Sequence, residues 1–185
     1  MGVKDFNKII LASASPRRKE LLKGLVDSFE IVVTDVAEES RFNAPHKKVM
    51  EIAFIKANAV NIKQGELIIA ADTTVYLDGV YYGKPHNEAN AFAMLQKLTG
   101  RTHTVYTGVC LATIGKSCLF YEKSSVTFKK LTDCEILEYI REKQPFDKAG
   151  AYGIQDERLV KSYKGSYTNI VGLPMEKLED ALAHF

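Results

Sequence analysis

LIIAADTTVYL, residues 67–77, is the stretch on which the reading of this chain turns. Its apolar residues do not alternate with polar ones, so both faces of the strand they form are covered, as at the centre of an α/β sheet. Asp72 stands in the middle of the run. A carboxylate in an apolar strand bears a desolvation cost unless it is paired or binds a metal. Ala70, Ala71 and Thr73 are small and leave room beside it. Asp72 is either a structural acid satisfied by backbone N–H groups at a strand end or a functional one, since buried acids gather at functional sites.

Working towards the C-terminus, Asp78–Gly79 marks a hairpin turn, and Lys84 follows in YGKP. A helix is predicted over 87–98, closed by Gly100. Two long strands, 102–114 and 118–131, flank Gly115–Lys116 and form an antiparallel pair. Thr132 and Glu135 make a capping box for a helix over 133–142. DKAGAYGIQ (147–155) is a glycine-bearing loop. RLVKSY (158–163) and SYTNIV (166–171) read as short strands across a Lys164–Gly165 turn, and an amphipathic helix over 174–184 ends the chain.

Working towards the N-terminus, a helix over 46–63 places Val49, Ile52, Ala53, Ala57 and Val60 on one stripe. Lys56 falls on the same stripe, which calls for a snorkelling side chain or an anionic partner. FEIVVTDV (29–36) is a β-branched strand, a helix over 16–26 carries Leu21, Leu22 and Leu25, and IILAS (9–13) is a buried strand running into a loop. There are no repeats, low-complexity tracts or linkers. The pattern is one α/β domain over 1–185, with two lobes around a cleft.

The 185 residues suffice for a substantial core, and 46% hydrophobic with 26% charged residues is an ordinary globular balance. A net charge of +2 with no basic–aromatic pattern argues against a nucleic-acid partner. Cys110, Cys118 and Cys134 have no metal-ligand spacing and read as reduced thiols. The leader MGVKDFNKIILAS is too short in its apolar run for a signal peptide and lacks a myristoylation pattern. No stretch has the length of a membrane span. The expected location is the cytoplasm.

SASPRR (13–18) begins a helix: a serine cap, then Pro16 at the first position. A helix N-terminus prefers acidic neighbours, yet Arg17 and Arg18 follow. Backbone N–H groups at a helix start bind anions, and forked arginine donors suit phosphate oxygens. The pair is unfavourable for an empty helix and favourable for one holding a polyphosphate; the plainer reading is two solvated surface arginines. Ser13 and Ser15 add hydroxyls. Glu38 and Glu39 follow the second strand and supply a further acid near the first. Acids together with Lys56, Lys84 and the arginines suggest a metal-assisted phosphate site, with Mg²⁺ bound through one or two carboxylates plus substrate phosphates. A sugar-hydrolysing acid pair fits the cations less well. GxxxxGK[ST], GxGxxG, GxSxG and HExxH are all missing. His46, His86, His103 and His184 sit in dissimilar contexts and read as surface or structural residues.

LASASPRRKELL (11–22), ADTTVYLDG (71–79), GKP (83–85), GRTHTVYTGV (100–109), DKAGAYGIQ (147–155) and VGLP (171–174) occur in the order found in the Maf family of nucleoside triphosphate pyrophosphatases, and over residues 8–185 the chain resembles that family. The resemblance implies a mixed, twisted α/β sheet flanked by helices, with a deep cleft between two lobes, similar to the inosine triphosphate pyrophosphatases. It implies hydrolysis of a nucleoside triphosphate to monophosphate and pyrophosphate with a divalent cation, Mg²⁺ or Mn²⁺. DKAGAYGIQ is similar to the subgroup acting on dTTP and UTP. The resemblance also implies clearing of nucleotide pools, a link to septum formation or arrest of cell division, and a homodimer.

Residue by residue, Asp72 matches the family's proton acceptor. Arg17, Thr73 and Gln155 match specificity positions, Glu38, Lys56 and Lys84 match other cleft residues, and Ser13 and Arg18 belong to the phosphate loop. Asp156–Glu157–Arg158 departs from the pattern, where relatives tend to carry glycines. Asp72 is open as base, metal ligand or both, and the metal acid is Glu38 or Glu39. Three rival readings remain: a nucleotide-sensing regulator, a pyrophosphatase for a modified or non-pyrimidine nucleotide, and a nucleic-acid module.

Overall fold

The structure, a computed structural model, describes residues 6–185; the part of the leader reading that rests on residues 1–5 lies outside them. The long strand is β3 (Glu66–Leu77), and it organises the rest. Its first half pairs in parallel with β1 (Lys8–Ala12), and its last residues pair antiparallel with β4 (Val80–Tyr82). Its other edge is covered from Ile68 to Tyr76 by β5 (Thr102–Thr113). β1 and β4 therefore share one edge of β3. The β1 pairing stops at Ala70 and the β4 pairing, which ends with Tyr82, reaches back only to Val75, so the β3 backbone between Ala70 and Val75 has no strand partner on that edge. The cleft opens there.

The sheet has seven strands in the order β2–β1–β3–β5–β6–β7, with β4 beside β3. β2 is Glu30–Ile31, β6 is Lys116–Phe128 and β7 is Val160–Lys164. The helices are α1 (Pro16–Lys23), α2 (Pro45–Asn58), α3 (Glu88–Leu98), α4 (Asp133–Lys143), α5 (Tyr167–Val171) and α6 (Met175–His184). The sheet is mixed, helices flank both faces, and the predicted class holds.

Strand alternation explains the unbroken apolar run. Leu67, Ile69 and Ala71 enter a core with Leu22 of α1 and Leu178 and Leu182 of α6. Ile68 and Ala70 enter a second core against Ala53 and Ala57 of α2. Beyond the cleft, Val75 and Leu77 join a third core built with α3 and α4. With a period of two, Asp72 falls on the α2 face and Thr73 on the opposite face. α2 lies close to the sheet because of Gly108, the partner of Asp72 in β5. A Cβ at Gly108 would stand 2.4 Å from the Val49 carbonyl carbon.

Three predicted elements differ most, while the helix expected to reach 26 ends at Lys23 and the strands expected over 118–131 and 158–163 run Lys116–Phe128 and Val160–Lys164. SYTNIV is not a strand but α5. Ser166 caps it, accepting from the Asn169 N–H at 3.1 Å, and Gly172 stops it at φ 124°; cap and stop outweigh the β-preference of Ile170 and Val171. FEIVVTDV shrinks to the two-residue β2, because β1 ends at Ala12 and leaves the later residues without a partner; Val33 is largely exposed. The helix predicted to reach 63 ends at Asn58. The capping box of Thr132 and Glu135 is present, and all three cysteines are free. Among the described residues no helix is long and apolar enough to cross a membrane.

Candidate active site

β1 delivers the chain to the cleft at Ser13, and the turn into α1 aims the arginines. Ser15 caps α1, accepting from the Arg18 N–H at 3.4 Å, with Pro16 in the first turn. The two arginines then part. Arg18 is buried: its Nε donates to the Gly172 carbonyl at 2.7 Å, Nη1 to Ser13 Oγ at 3.0 Å and Nη2 to Thr73 Oγ1 at 2.9 Å. A guanidinium has five N–H donors, so two remain for a ligand. All three acceptors are neutral. Burial pushes the Arg18 pKa down, and the charges of Asp72 and Glu38 oppose that at longer range. Arg17 reaches the far wall, where Asp147 accepts from Nη1 at 2.5 Å and through its carbonyl from Nη2 at 3.1 Å. Lys148 pairs with the other Asp147 oxygen at 2.8 Å.

On the α2 face, Lys56, whose position called for a snorkelling side chain or an anionic partner, has two anionic partners. Its Nζ lies 2.8 Å from Asp72 Oδ1 and 2.9 Å from Glu38 Oε1. Lys56 and Asp72 are each 8% exposed, whereas the Glu38 carboxylate is more than half exposed. Partial burial alone would raise the Glu38 pKa; its hydrogen bond to Lys56 and the charges of Lys56, Lys84 and Arg18 win and hold it low. Of the two candidate acids, Glu38 is the one that reaches Lys56. Glu51 ties the preceding segment to α2, accepting from Ser40 Oγ at 2.6 Å and the Arg41 N–H at 3.0 Å. The second oxygens of Asp72 and Glu38 carry no hydrogen bond to a described residue.

These groups line one cleft of about 750 Å³, within the ordinary range for small-molecule sites. Six Lys and Arg residues and three acids line it, an excess of three positive charges, against +2 for the whole chain. Lys84 is on its wall without an ion pair among the described residues, and acts on Glu38 through space. The neighbouring Gly83 carbonyl accepts from Gly150 N–H at 3.0 Å, which joins the Lys84 turn to the DKAGAYGIQ loop.

That loop holds two consecutive left-handed residues, Gly150 (φ 70°) and Ala151 (φ 59°). It presents Gln155 on the cleft wall, exposed, its amide making no hydrogen bond to a described residue. The amide lies over Gly153, where a Cβ would stand 2.9 Å from Gln155 Nε2 and Oε1. The atypical Asp156–Glu157–Arg158 segment anchors the loop to α4: Tyr139 donates to Asp156 at 2.8 Å, and Arg158 pairs with Glu142 at 2.8 Å. Thr73 does not touch Gln155; its hydroxyl is taken by Arg18 and Thr107.

Of the histidines, His86 lines the cleft. His103 is in the core against Phe128 and Tyr152, and burial pushes its pKa down to about 4, so it is neutral near pH 7. Burial likewise pushes the Cys110 thiol up to about 12, which makes it unreactive. The sequence reading missed Asp147, Thr107, Asn169 and Gly172. Asp147, Thr107 and Gly172 lie inside motifs that carry the resemblance, though none was singled out there; Asn169 had no such signal.

Comparison with known proteins shows the family and the fold. A family model described as Maf-like protein matches residues 8–185. The dTTP/UTP pyrophosphatase of Bacillus cereus (strain ATCC 10987) is 46% identical over 185 residues, covering 98% of this chain and 91% of the relative. That of Bacillus thuringiensis subsp. konkukian is 46% identical over 182 residues, covering 96% and 95%. A solved HAM1 protein from Coxiella burnetii shares the fold, with a TM-score of 0.54 at 16% identity, over 96% of this chain and 99% of that one.

Proposed function

The chain belongs to the Maf-like protein family, and from that premise we propose that it hydrolyses dTTP and UTP to the nucleoside monophosphate and pyrophosphate, removing them from the nucleotide pool. The observation that carries the reading is the buried Asp72, held through one oxygen by Lys56 with the other oxygen unbonded, in the same cation-rich cleft as Arg18.

Phosphoryl transfer needs positioning and charge stabilisation above all. The free N–H groups of Arg18 and the start of α1 hold the phosphate chain. Lys84 offers a further positive charge from the cleft wall. Asp72 Oδ2 accepts the proton of the water that attacks the α-phosphorus, while Lys56 keeps the carboxylate in place. The Gln155 amide offers one donor and one acceptor, which match O4 and N3–H of uracil or thymine. Cytosine reverses both, so the choice depends on the loop holding the amide one way round, and the anchor of Asp156 on Tyr139 serves that.

The residues present fit a divalent cation. Glu38 and Asp72 each keep an oxygen free, and no group of three or more metal-binding side chains occurs among the described residues. Two carboxylates plus substrate phosphates is the usual way Mg²⁺ is held. When bound, such a cation would neutralise charge on the phosphates and acidify a coordinated water.

The test is a panel of canonical and modified triphosphates with Mg²⁺ or Mn²⁺, measuring pyrophosphate, orthophosphate and monophosphate separately. Equal pyrophosphate and monophosphate from dTTP and UTP support the reading. Orthophosphate would place the attack at the γ-phosphorus and break it. Tight nucleotide binding without turnover would favour a sensor.

A further inference from the structure

Behind Arg18 runs a chain of neutral groups that leaves the cleft and enters the sheet, and the direction of each proton in it follows from the geometry. Asn169, on α5, is fully buried. Its side-chain amide donates to the Val105 carbonyl at 3.2 Å and to Ser124 Oγ at 2.9 Å, which pins α5 to β5 and β6. Its main-chain carbonyl accepts from Thr107 Oγ1 at 2.9 Å. A hydroxyl has one proton, and Thr107 has spent it on Asn169. The 3.0 Å contact between Thr107 Oγ1 and Thr73 Oγ1 is therefore made with the proton of Thr73. Thr73 then has only lone pairs for the Arg18 Nη2 donor at 2.9 Å. The same short helix ends at Gly172, whose carbonyl takes the Arg18 Nε. α5 thus orients the guanidinium twice, directly through Gly172 and through two threonines from Asn169.

We infer that Thr107, aimed by the Asn169 carbonyl, is a positioning residue for the hydrolytic reaction: it makes Thr73 a pure acceptor and thereby fixes the Arg18 guanidinium against the phosphate chain. The inference rests on the reading of the cleft as a triphosphate site. Thr107 is fully buried and does not line the cleft. A purely structural Thr107 could be exchanged for valine, of similar shape, without effect on phosphate binding.

The experiment compares Thr107→Val and Thr107→Ser with the wild type, and Thr107→Val in the presence of Arg18→Lys. It measures kcat and KM for UTP, binding of inorganic tripolyphosphate by titration calorimetry, and Tm. Thr107→Val is expected to lose about 10-fold in kcat/KM, and tripolyphosphate affinity with it, the scale of a displaced hydrogen bond to a charged group. Thr107→Ser is expected to stay within about threefold of wild type, since the hydroxyl is what matters. In the Arg18→Lys background the valine change should add little, because coupled residues are not additive. Wild-type kcat/KM and tripolyphosphate binding in Thr107→Val, or equal damage from serine and valine, would overturn the inference. If Thr107→Val does not fold, Thr107→Cys, of similar size and a poor donor, takes its place with the same expectation. A wild type that hydrolyses no pyrimidine triphosphate defeats the functional reading alone; tripolyphosphate binding across the variants still decides the role of Thr107.

Discussion

Asp72 and Thr73 are consecutive residues that β3 sends to opposite faces, into surroundings built on different principles. On the α2 face charges answer one another: Lys56 stands between two carboxylates. On the other face a buried guanidinium is bonded only to a carbonyl and two hydroxyls. A buried charge held by neutral groups is far costlier than a paired one, and an arriving anion relieves that cost. On the proposed function, the first face holds a base in position without a ligand and the second receives a polyanion. The cleft lies where both reach the gap between β1 and β4.

The largest expected effect comes from the charged face. Asp72→Asn should fold and lose at least about 100-fold in turnover, the scale of a missing general base; pyrophosphate release measures it. Near-normal turnover would remove Asp72 from the chemistry. Next is the neutral face: Arg18→Lys keeps the charge and loses the fork, and should cost about 10- to 100-fold in kcat/KM for UTP. If lysine substitutes fully, charge alone is at work there and the contrast between the faces is lost.

Gly108→Ala tests the packing that brings α2 onto the Asp72 face. A Cβ there meets the backbone of Val49 and Met50, and overpacking of this kind costs about 1–3 kcal/mol, read as a lower urea midpoint. At the cleft mouth, Asp147→Asn should tighten inorganic tripolyphosphate binding by about two- to fivefold, since an acid leaves a cationic cleft and Arg17 is released, a gain on the scale of an exposed ion pair. Weaker binding would mean that Asp147 aims Arg17 instead of occupying it.

The smallest effect concerns pH. The Glu38 pKa is lower in the folded chain than the unfolded value of about 4.3. Its stabilisation is present above that value and fades as pH falls through the folded pKa. The urea midpoint of wild type should thus drop more than that of Glu38→Gln on going from neutral pH to below about 4.3. Equal losses would show that the Lys56 contact contributes nothing, and the exposure of Glu38 keeps the expected difference small.

What could be read from sequence follows from the range of the interactions. The apolar run around Asp72, the capped start of α1 and the stripe of α2 are local patterns. They put Asp72, Arg18 and Lys56 on the elements that carry them, and the stripe asked of Lys56 either snorkelling or an anionic partner. Which anion answered was not local: Asp72 is 16 residues away from Lys56, and the partner of Arg17 is 130 residues away. α5 was hidden because Ile170 and Val171 imitate a strand, while its helix depends on one serine cap and one glycine stop. Thr107 looked like a core strand residue because its importance lies in where its proton points, which only the Asn169 carbonyl across the fold determines.

The central claim is that water attacks the α-phosphorus beside Asp72 while Arg18 holds the departing pyrophosphate. Hydrolysis of UTP in ¹⁸O-labelled water, with mass spectrometry of both products, tests it most directly. The account predicts the label in UMP and none in pyrophosphate. Label in the pyrophosphate would put the attack on the β-phosphorus and contradict the assignment of the two faces.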